Sequence, residues 1–168
     1  MQQVALGIYY LHSCRPPVLH LDLKSANVLL DSYGVAKVCD FGLARLKMDD
    51  EDGPETTSMG SPLWSAPEVL KGGMVDEMAD TFSYGMLCFE VLSRELPYKG
   101  VPAAQVVMGV ATGLLPRPEL PEEICSVYPP VLADVMRRCW QEDPPSRPVF
   151  DEILDMLERL ADEEDVML

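Results

Sequence analysis

Apolar residues recur at helical spacing from the first residues: Val4, Ala5, Ile8 and Leu11 line one side of MQQVALGIYYLHSC. That spacing predicts an amphipathic helix, ended by Arg15-Pro16-Pro17. It starts without a capping Ser, Thr, Asp or Asn, which suggests an incomplete beginning. Two short β-like runs follow, VLH and NVLL. GVAKVCDF then alternates as a strand should, with Val35, Lys37 and Cys39 on one side and Ala36, Val38 and Asp40 on the other. Residues 43–65 are polar and aperiodic, so they predict a long loop. From Asp80 the pattern turns helical. TFSYGMLCFEVL is apolar nearly all round, as a helix buried inside a domain would be. ELPYKG reads as a turn. AAQVVMGVA, PVLADVMRRCW and VFDEILDMLERL are three further amphipathic helices, the last with Pro148 in its first turn. The sum is a mainly α chain with a few short β-strands, and it has no internal repeat.

With 168 residues there is enough chain for one domain with a real core. A net charge of −15, from 28 acidic and 13 basic residues, repels phosphate backbones and anionic lipid. Nucleic acid and membrane are therefore not expected as partners. The acid excess gathers in Asp49–Glu55 and Asp162–Asp165, which read as solvated loop and tail. The five cysteines are odd in number, widely spaced and without a CxxC pair. Three of them, Cys39, Cys88 and Cys139, lie in apolar stretches, where Cys behaves as a small hydrophobe. This fits a reducing compartment, cytoplasmic or nuclear, and neither a disulfide framework nor a zinc site. No basic segment followed by an apolar core opens the chain, so no signal peptide is expected. No apolar run approaches the ~20 residues needed to span a bilayer.

One stretch departs from folding logic. In VLHLDLKSANVLL, Val18 to Leu30, a polar patch of His20, Asp22, Lys24, Ser25 and Asn27 is set between two apolar runs. Folding requires no particular polar types there, whereas a catalytic loop would need these. Asp40-Phe41-Gly42 follows, then Ala66-Pro67-Glu68, then the buried helix opened by Asp80, and finally CWQEDPPSRP from Cys139 to Pro148. The order H-R-D-L-x-x-x-N, D-F-G, A-P-E is a known signature set, matched here with one mismatch, Leu21 in place of Arg.

On these residues the chain resembles the C-terminal lobe of a eukaryotic protein kinase. The resemblance covers residues 1–160 and leaves 161–168 as an acidic tail. It implies a protein-kinase-like fold, C-terminal lobe only, with the N-terminal lobe absent. YLHSCRPPVLH, KVCDFGLARLK and GSPLWSAPEVL are most similar to the tyrosine-kinase-like group, in its Raf-like and mixed-lineage-like branches. Most members of that group phosphorylate Ser and Thr.

The resemblance also assigns roles. The implied reaction moves the γ-phosphoryl group of ATP to a protein hydroxyl, with Mg²⁺, so a nucleotide and a protein substrate are the expected partners. Asp22 would accept the proton of the attacking hydroxyl, and Lys24 would stabilise the transferring group as a point charge. Asn27 and Asp40 would supply oxygen ligands to Mg²⁺. Leu29 would pack under the adenine. His20 would be structural, beneath Phe41 of the Asp40-Phe41-Gly42 motif, while His12 reads as a plain helix-end histidine. Asp80 would hydrogen-bond the catalytic-loop backbone, and Glu68 and Arg147 would form a buried ion pair. Ser61, where Thr is commoner, would bridge Asp22 and Lys24. Thr56, Thr57 and Ser58 form a candidate phosphorylation cluster. Leu21 removes the arginine that would grip a phosphate there, so less dependence on that modification is expected. Thr81 replaces a Val, a tolerable packing change.

These 168 residues contain no Gly-rich phosphate loop and no V-A-I-K lysine. Half of an ATP site is therefore missing, and the face that docks the other lobe should be exposed and apolar. Efficient catalysis by the chain alone is not expected. The rival reading is a truncated, catalytically inactive kinase acting as a scaffold.

Overall fold

The computed structural model describes residues 1–47 and 60–165. Helix α1 (Gln2–His12) buries Val4, Ala5 and Ile8, and Leu11 is partly covered, as the spacing predicts. Two antiparallel two-stranded sheets follow. β1 (Val18–Leu19) pairs with β4 (Arg45–Leu46), and β2 (Val28–Leu30) pairs with β3 (Ala36–Val38). The second pair closes through a turn in which the Asp31 carboxylate accepts the amides of Tyr33 and Val35, with Gly34 at φ 77°. Ala36 and Val38 face the core, as the alternation predicts. β4 corrects the expectation of unbroken loop over 43–65. Its two residues are too few to alternate, and they form a strand because β1 offers them a partner.

Helix α3 (Glu77–Ser93) is the axis of the domain and is buried without a break from Ala79 to Phe89. It does not open at Asp80. Asp76 caps it, accepting the Met78 amide at 2.9 Å, and the two acidic residues flanking Met78 and Ala79 in the first turn hid this start from the pattern. Helix α6 (Pro130–Cys139) packs on α3, and α7 (Phe150–Asp165) packs on α1 and α6. The α3–α6 approach depends on Gly85: a Cβ there would lie 2.9 Å from Cys139 Cβ and 3.1 Å from the Met136 carbonyl oxygen. Helix α4 (Ala103–Ala111) buries Val106 and Val110 and lies against the short α2 (Pro67–Leu70). Neither α2 nor the four-residue α5 (Glu122–Cys125) was predictable from periodicity.

One expectation is revised at the last helix. Pro148 lies before its first turn; the Val149 carbonyl accepts the Ile153 amide, and the Pro148 carbonyl accepts the hydroxyl of buried Thr81 at 3.3 Å. The α7 backbone runs on through Asp162–Asp165.

All five cysteines are free. Cys88 and Cys139 are buried, and burial pushes the Cys88 thiol up to about 12, so it behaves as a hydrophobe. Among the described residues no helix is long and apolar enough to cross a membrane. On α1 and the adjoining β2–β3 hairpin, Leu6, Tyr10, Leu29, Leu30 and Tyr33 stand exposed.

Candidate active site

The loop from His20 to Asn27 joins β1 to β2 and is anchored from below. Leu23 and His20 are fully buried, and the carboxylate of Asp80, also fully buried, reaches the loop from α3. Asp80 Oδ2 accepts the His20 amide at 2.8 Å, and Oδ1 accepts the Leu21 amide at 2.8 Å. His12 Nε2 meets Asp80 Oδ2 at 2.8 Å. Leu21 has φ 61°, a left-handed conformation that costs a branched residue about 1–2 kcal/mol. The two amide–carboxylate bonds hold it there, and a short 3-10 turn, Ser25–Asn27, closes the loop.

This bend gathers the polar side chains. Lys24 Nζ donates to Asp22 Oδ2 at 2.9 Å and to Ser61 Oγ at 2.5 Å. The Ser61 amide donates to Asp22 Oδ1 at 3.0 Å. Asn27 Nδ2 donates to the Asp22 carbonyl at 2.8 Å and to its Oδ2 at 3.0 Å. Gly60 lets the 60–65 segment come this close, since a Cβ there would lie 3.1 Å from Asp22 Oδ1 and from the Leu21 carbonyl. Partial burial pushes the Asp22 carboxyl upward, but hydrogen bonds from Lys24 and Ser61, with the ammonium charge, outweigh it. The net effect holds Asp22 below the ordinary carboxylate value. The result is an ionised carboxylate beside a fixed ammonium, arranged to orient a hydroxyl.

Asp40 and Asn27 lie on neighbouring chain segments, because the Cys39 amide donates to the Asn27 carbonyl at 2.9 Å. Asp40 is left-handed, φ 64°, and its Oδ1 accepts the Gly42 amide at 3.2 Å. Asn27 spends its amide nitrogen on Asp22, which leaves its side-chain oxygen, like the exposed Asp40 carboxylate, to serve as a cation ligand. An amide oxygen and a carboxylate are the donor types that a hard divalent cation would take. Among the described residues no group of three His, Cys, Asp or Glu side chains could hold a metal. His20 meets Phe41 edge to face with ring centroids 5.3 Å apart, and its Nε2 lies 3.1 Å from the Cys39 carbonyl oxygen. It ties the two loops together.

Glu68 and Arg147 form a bidentate pair, with Nη1 to Oε1 at 2.6 Å and Nη2 to Oε2 at 3.0 Å. The Arg147 side chain is fully buried. Its remaining N–H groups go to the carbonyls of Gln141, Met78 and Glu142, so all five donors are used. Its guanidinium also stacks over the Phe82 ring, 5.1 Å from the centroid.

The structure thus brings together His20, Asp22, Lys24, Asn27 and Ser61, sets Asp40, Phe41 and Gly42 beside them, and places Asp80 and the Glu68–Arg147 pair as supports. Leu29 is 57% exposed on β2. Thr56, Thr57 and Ser58 lie outside the described residues. Pattern reading passed over three participants: His12, Trp64 and Glu90. His12 is a helix-end residue that also reaches Asp80, 68 positions away, a contact no local pattern encodes. Ser25 donates to Glu90 Oε1 at 2.5 Å, and the Trp64 indole donates to Glu90 Oε2 at 3.0 Å. For Glu90 a signal existed, because it is the one charge inside the apolar run FSYGMLCFEVL.

Residues 1–157 match the family model described as protein tyrosine and serine/threonine kinase. The chain is 40% identical over 158 residues to the probable serine/threonine-protein kinase drkC of Dictyostelium discoideum, covering 94% of this chain and 20% of that protein. It is 41% identical over 160 residues to the serine/threonine-protein kinase STY17 of Arabidopsis thaliana, covering 95% of this chain and 26% of that protein. The probable serine/threonine-protein kinase SIS8 of the same plant is 40% identical over 156 residues, with 93% of this chain and 15% of the relative covered. The chain therefore spans about a quarter or less of the length of these relatives. The motif order, the geometry around Asp22 and the match over nearly the whole length converge: the chain belongs to the protein tyrosine and serine/threonine kinase family.

Proposed function

We propose that these residues form the C-terminal lobe of a serine/threonine kinase of the tyrosine-kinase-like group, the half of the active site that receives the acceptor hydroxyl. The observation that carries this reading is the Asp22–Lys24–Ser61 arrangement, in which one ammonium touches both a carboxylate and a hydroxyl. The serine/threonine names of the relatives support it, as does Lys24 two residues after Asp22. The exposed apolar residues on α1 and the β2–β3 hairpin support a missing lobe above them.

Mg²⁺-bound ATP would supply the phosphoryl group and neutralise its charge. The chain's own residues do the positioning. Asp22, kept ionised by Lys24 and Ser61, accepts a hydrogen bond from the acceptor hydroxyl, aims its oxygen, and takes the proton as the new bond forms. Lys24 provides a fixed positive charge beside that oxygen. Asn27 and Asp40 would be the oxygen ligands that hold the cation, and the Ser61 segment would be the surface that receives the acceptor peptide. Leu21 in place of Arg leaves position 21 without a cation for an activation-loop phosphate, so the active geometry rests on Asp80.

Calorimetric titration of ATP into the purified protein, with and without Mg²⁺, tests this reading. The expected result is binding that requires Mg²⁺ and is lost in Asp40→Ala. Binding indifferent to Mg²⁺ and to Asp40 would contradict it and favour a scaffold without catalysis.

A further inference from the structure

Helix α3 is apolar nearly all round, yet among its polar side chains those at positions 80, 83 and 90 turn toward the loops of the site. With 3.6 residues per turn these three fall on one stripe, and Asp80 and Glu90 stand about 15 Å apart along the axis. Each member of the stripe is spent on a loop. Asp80 holds the amides of His20 and Leu21, where the catalytic loop begins. The Ser83 hydroxyl donates to the Trp64 carbonyl at 2.9 Å. Glu90 accepts from the Ser25 hydroxyl, where the catalytic loop ends, and from the Trp64 indole.

We propose that Glu90 is a positioning residue that sets the register between the two loops, and the inference rests on the kinase reading above only for its consequence. Ser25 follows Lys24 directly, and Trp64 lies three residues beyond Ser61. One carboxylate bonded to both neighbours therefore fixes the span across which Lys24 meets Ser61. The donors are a neutral hydroxyl and a neutral indole, and among the described residues Glu90 has no cationic partner. A half-buried carboxylate without a cation contributes little by charge pairing, but two acceptor oxygens on one rigid group hold two donors at a fixed separation. Gln keeps that capacity. Its carbonyl can accept from the indole while its amide donates to the serine oxygen.

The test needs no catalytic activity. Amide hydrogen exchange is followed by mass spectrometry on the 168-residue chain and on Glu90→Ala, Glu90→Gln, Trp64→Phe and Ser25→Ala. The reporter is the Ser61 amide, which is bonded to Asp22 Oδ1. Glu90→Ala should speed exchange in the 60–65 segment by roughly 10-fold or more, with α6 and α7 unchanged, as loss of a charged acceptor implies. Trp64→Phe and Ser25→Ala should each give a smaller rise, and neither should add to Glu90→Ala. Glu90→Gln should stay near wild type. An unchanged segment in Glu90→Ala, or equal loss in Glu90→Gln and Glu90→Ala, would overturn the inference. A failure of phosphoryl transfer would count against the kinase reading and leave this result standing.

Discussion

Asp80 Oδ1 accepts the amide of Leu21 from 59 positions away, and Leu21 is the residue whose backbone is left-handed. The geometry of the catalytic loop is thus held by a carboxylate fixed in a buried helix. The same carboxylate takes His20 and His12, so three donors converge on two oxygens. Asp80→Asn replaces one acceptor with a donor that faces an N–H group. It should destabilise the domain by about 2–4 kcal/mol, with the loss read from the urea midpoint. A cost under about 0.5 kcal/mol would show that the loop holds its bend without Asp80.

How much of this was legible in advance follows from the range of each interaction. The buried faces of α1 and α4 were readable because Val4, Ala5 and Ile8, or Val106 and Val110, repeat within one turn or two. The candidate site was readable because Asp22, Lys24 and Asn27 are close in sequence and chemically specific. Asp76 was missed as a cap because in the turn it opens Met78 and Ala79 stand between two acidic residues, too short an apolar pair to set a helical period. β4 and the His12–Asp80 contact exist only through partners remote in the chain. The Glu68–Arg147 pair is equally remote, 79 positions apart, and was anticipated only through the family resemblance.

That pair yields a second prediction. Arg147 spends five donors and stacks on Phe82, so Lys cannot replace it: a point-charge ammonium cannot make the bidentate contact or the stack. Arg147→Lys should lower stability by roughly 2–3 kcal/mol. Arg147→Ala should cost more, about 3–5 kcal/mol, because Glu68 is left half-buried without its partner. Chemical denaturation of both variants checks the order. Equal stability of Arg147→Lys and wild type would show the bidentate geometry to be dispensable.

A third concerns pH. The folded-state carboxyl of Asp22 lies below its ordinary value of 3.8, held there by Lys24 and Ser61 against the opposing effect of burial. A depressed folded value contributes stability above the unfolded value and loses it as pH falls through the folded one. A carbon-detected NMR titration of the Asp22 carboxyl should find its midpoint below the ordinary value. In Lys24→Met the ammonium is gone and burial remains, so the midpoint should rise. A midpoint that does not move would mean Lys24 does not set the charge state of Asp22.

A fourth concerns regulation. With Leu21 at the position of the expected arginine, phosphate on Thr56, Thr57 or Ser58 has no cation at position 21 to meet. Replacing all three by Ala should change phosphoryl-transfer activity by less than about 3-fold, under ~1 kcal/mol, in assays of kcat/KM. A much larger fall would show that activation depends on this cluster in spite of Leu21.

On this reading Asp22 orients and deprotonates a protein hydroxyl. The most direct measurement is transfer of labelled γ-phosphoryl from ATP to a protein acceptor by these residues joined to an N-terminal kinase lobe, wild type and Asp22→Asn, followed by phosphoamino-acid analysis. The predicted result is label on Ser and Thr in the wild type, with the rate reduced about 100-fold or more in Asp22→Asn. Label on Tyr alone, or transfer unaffected by Asp22→Asn, would contradict it.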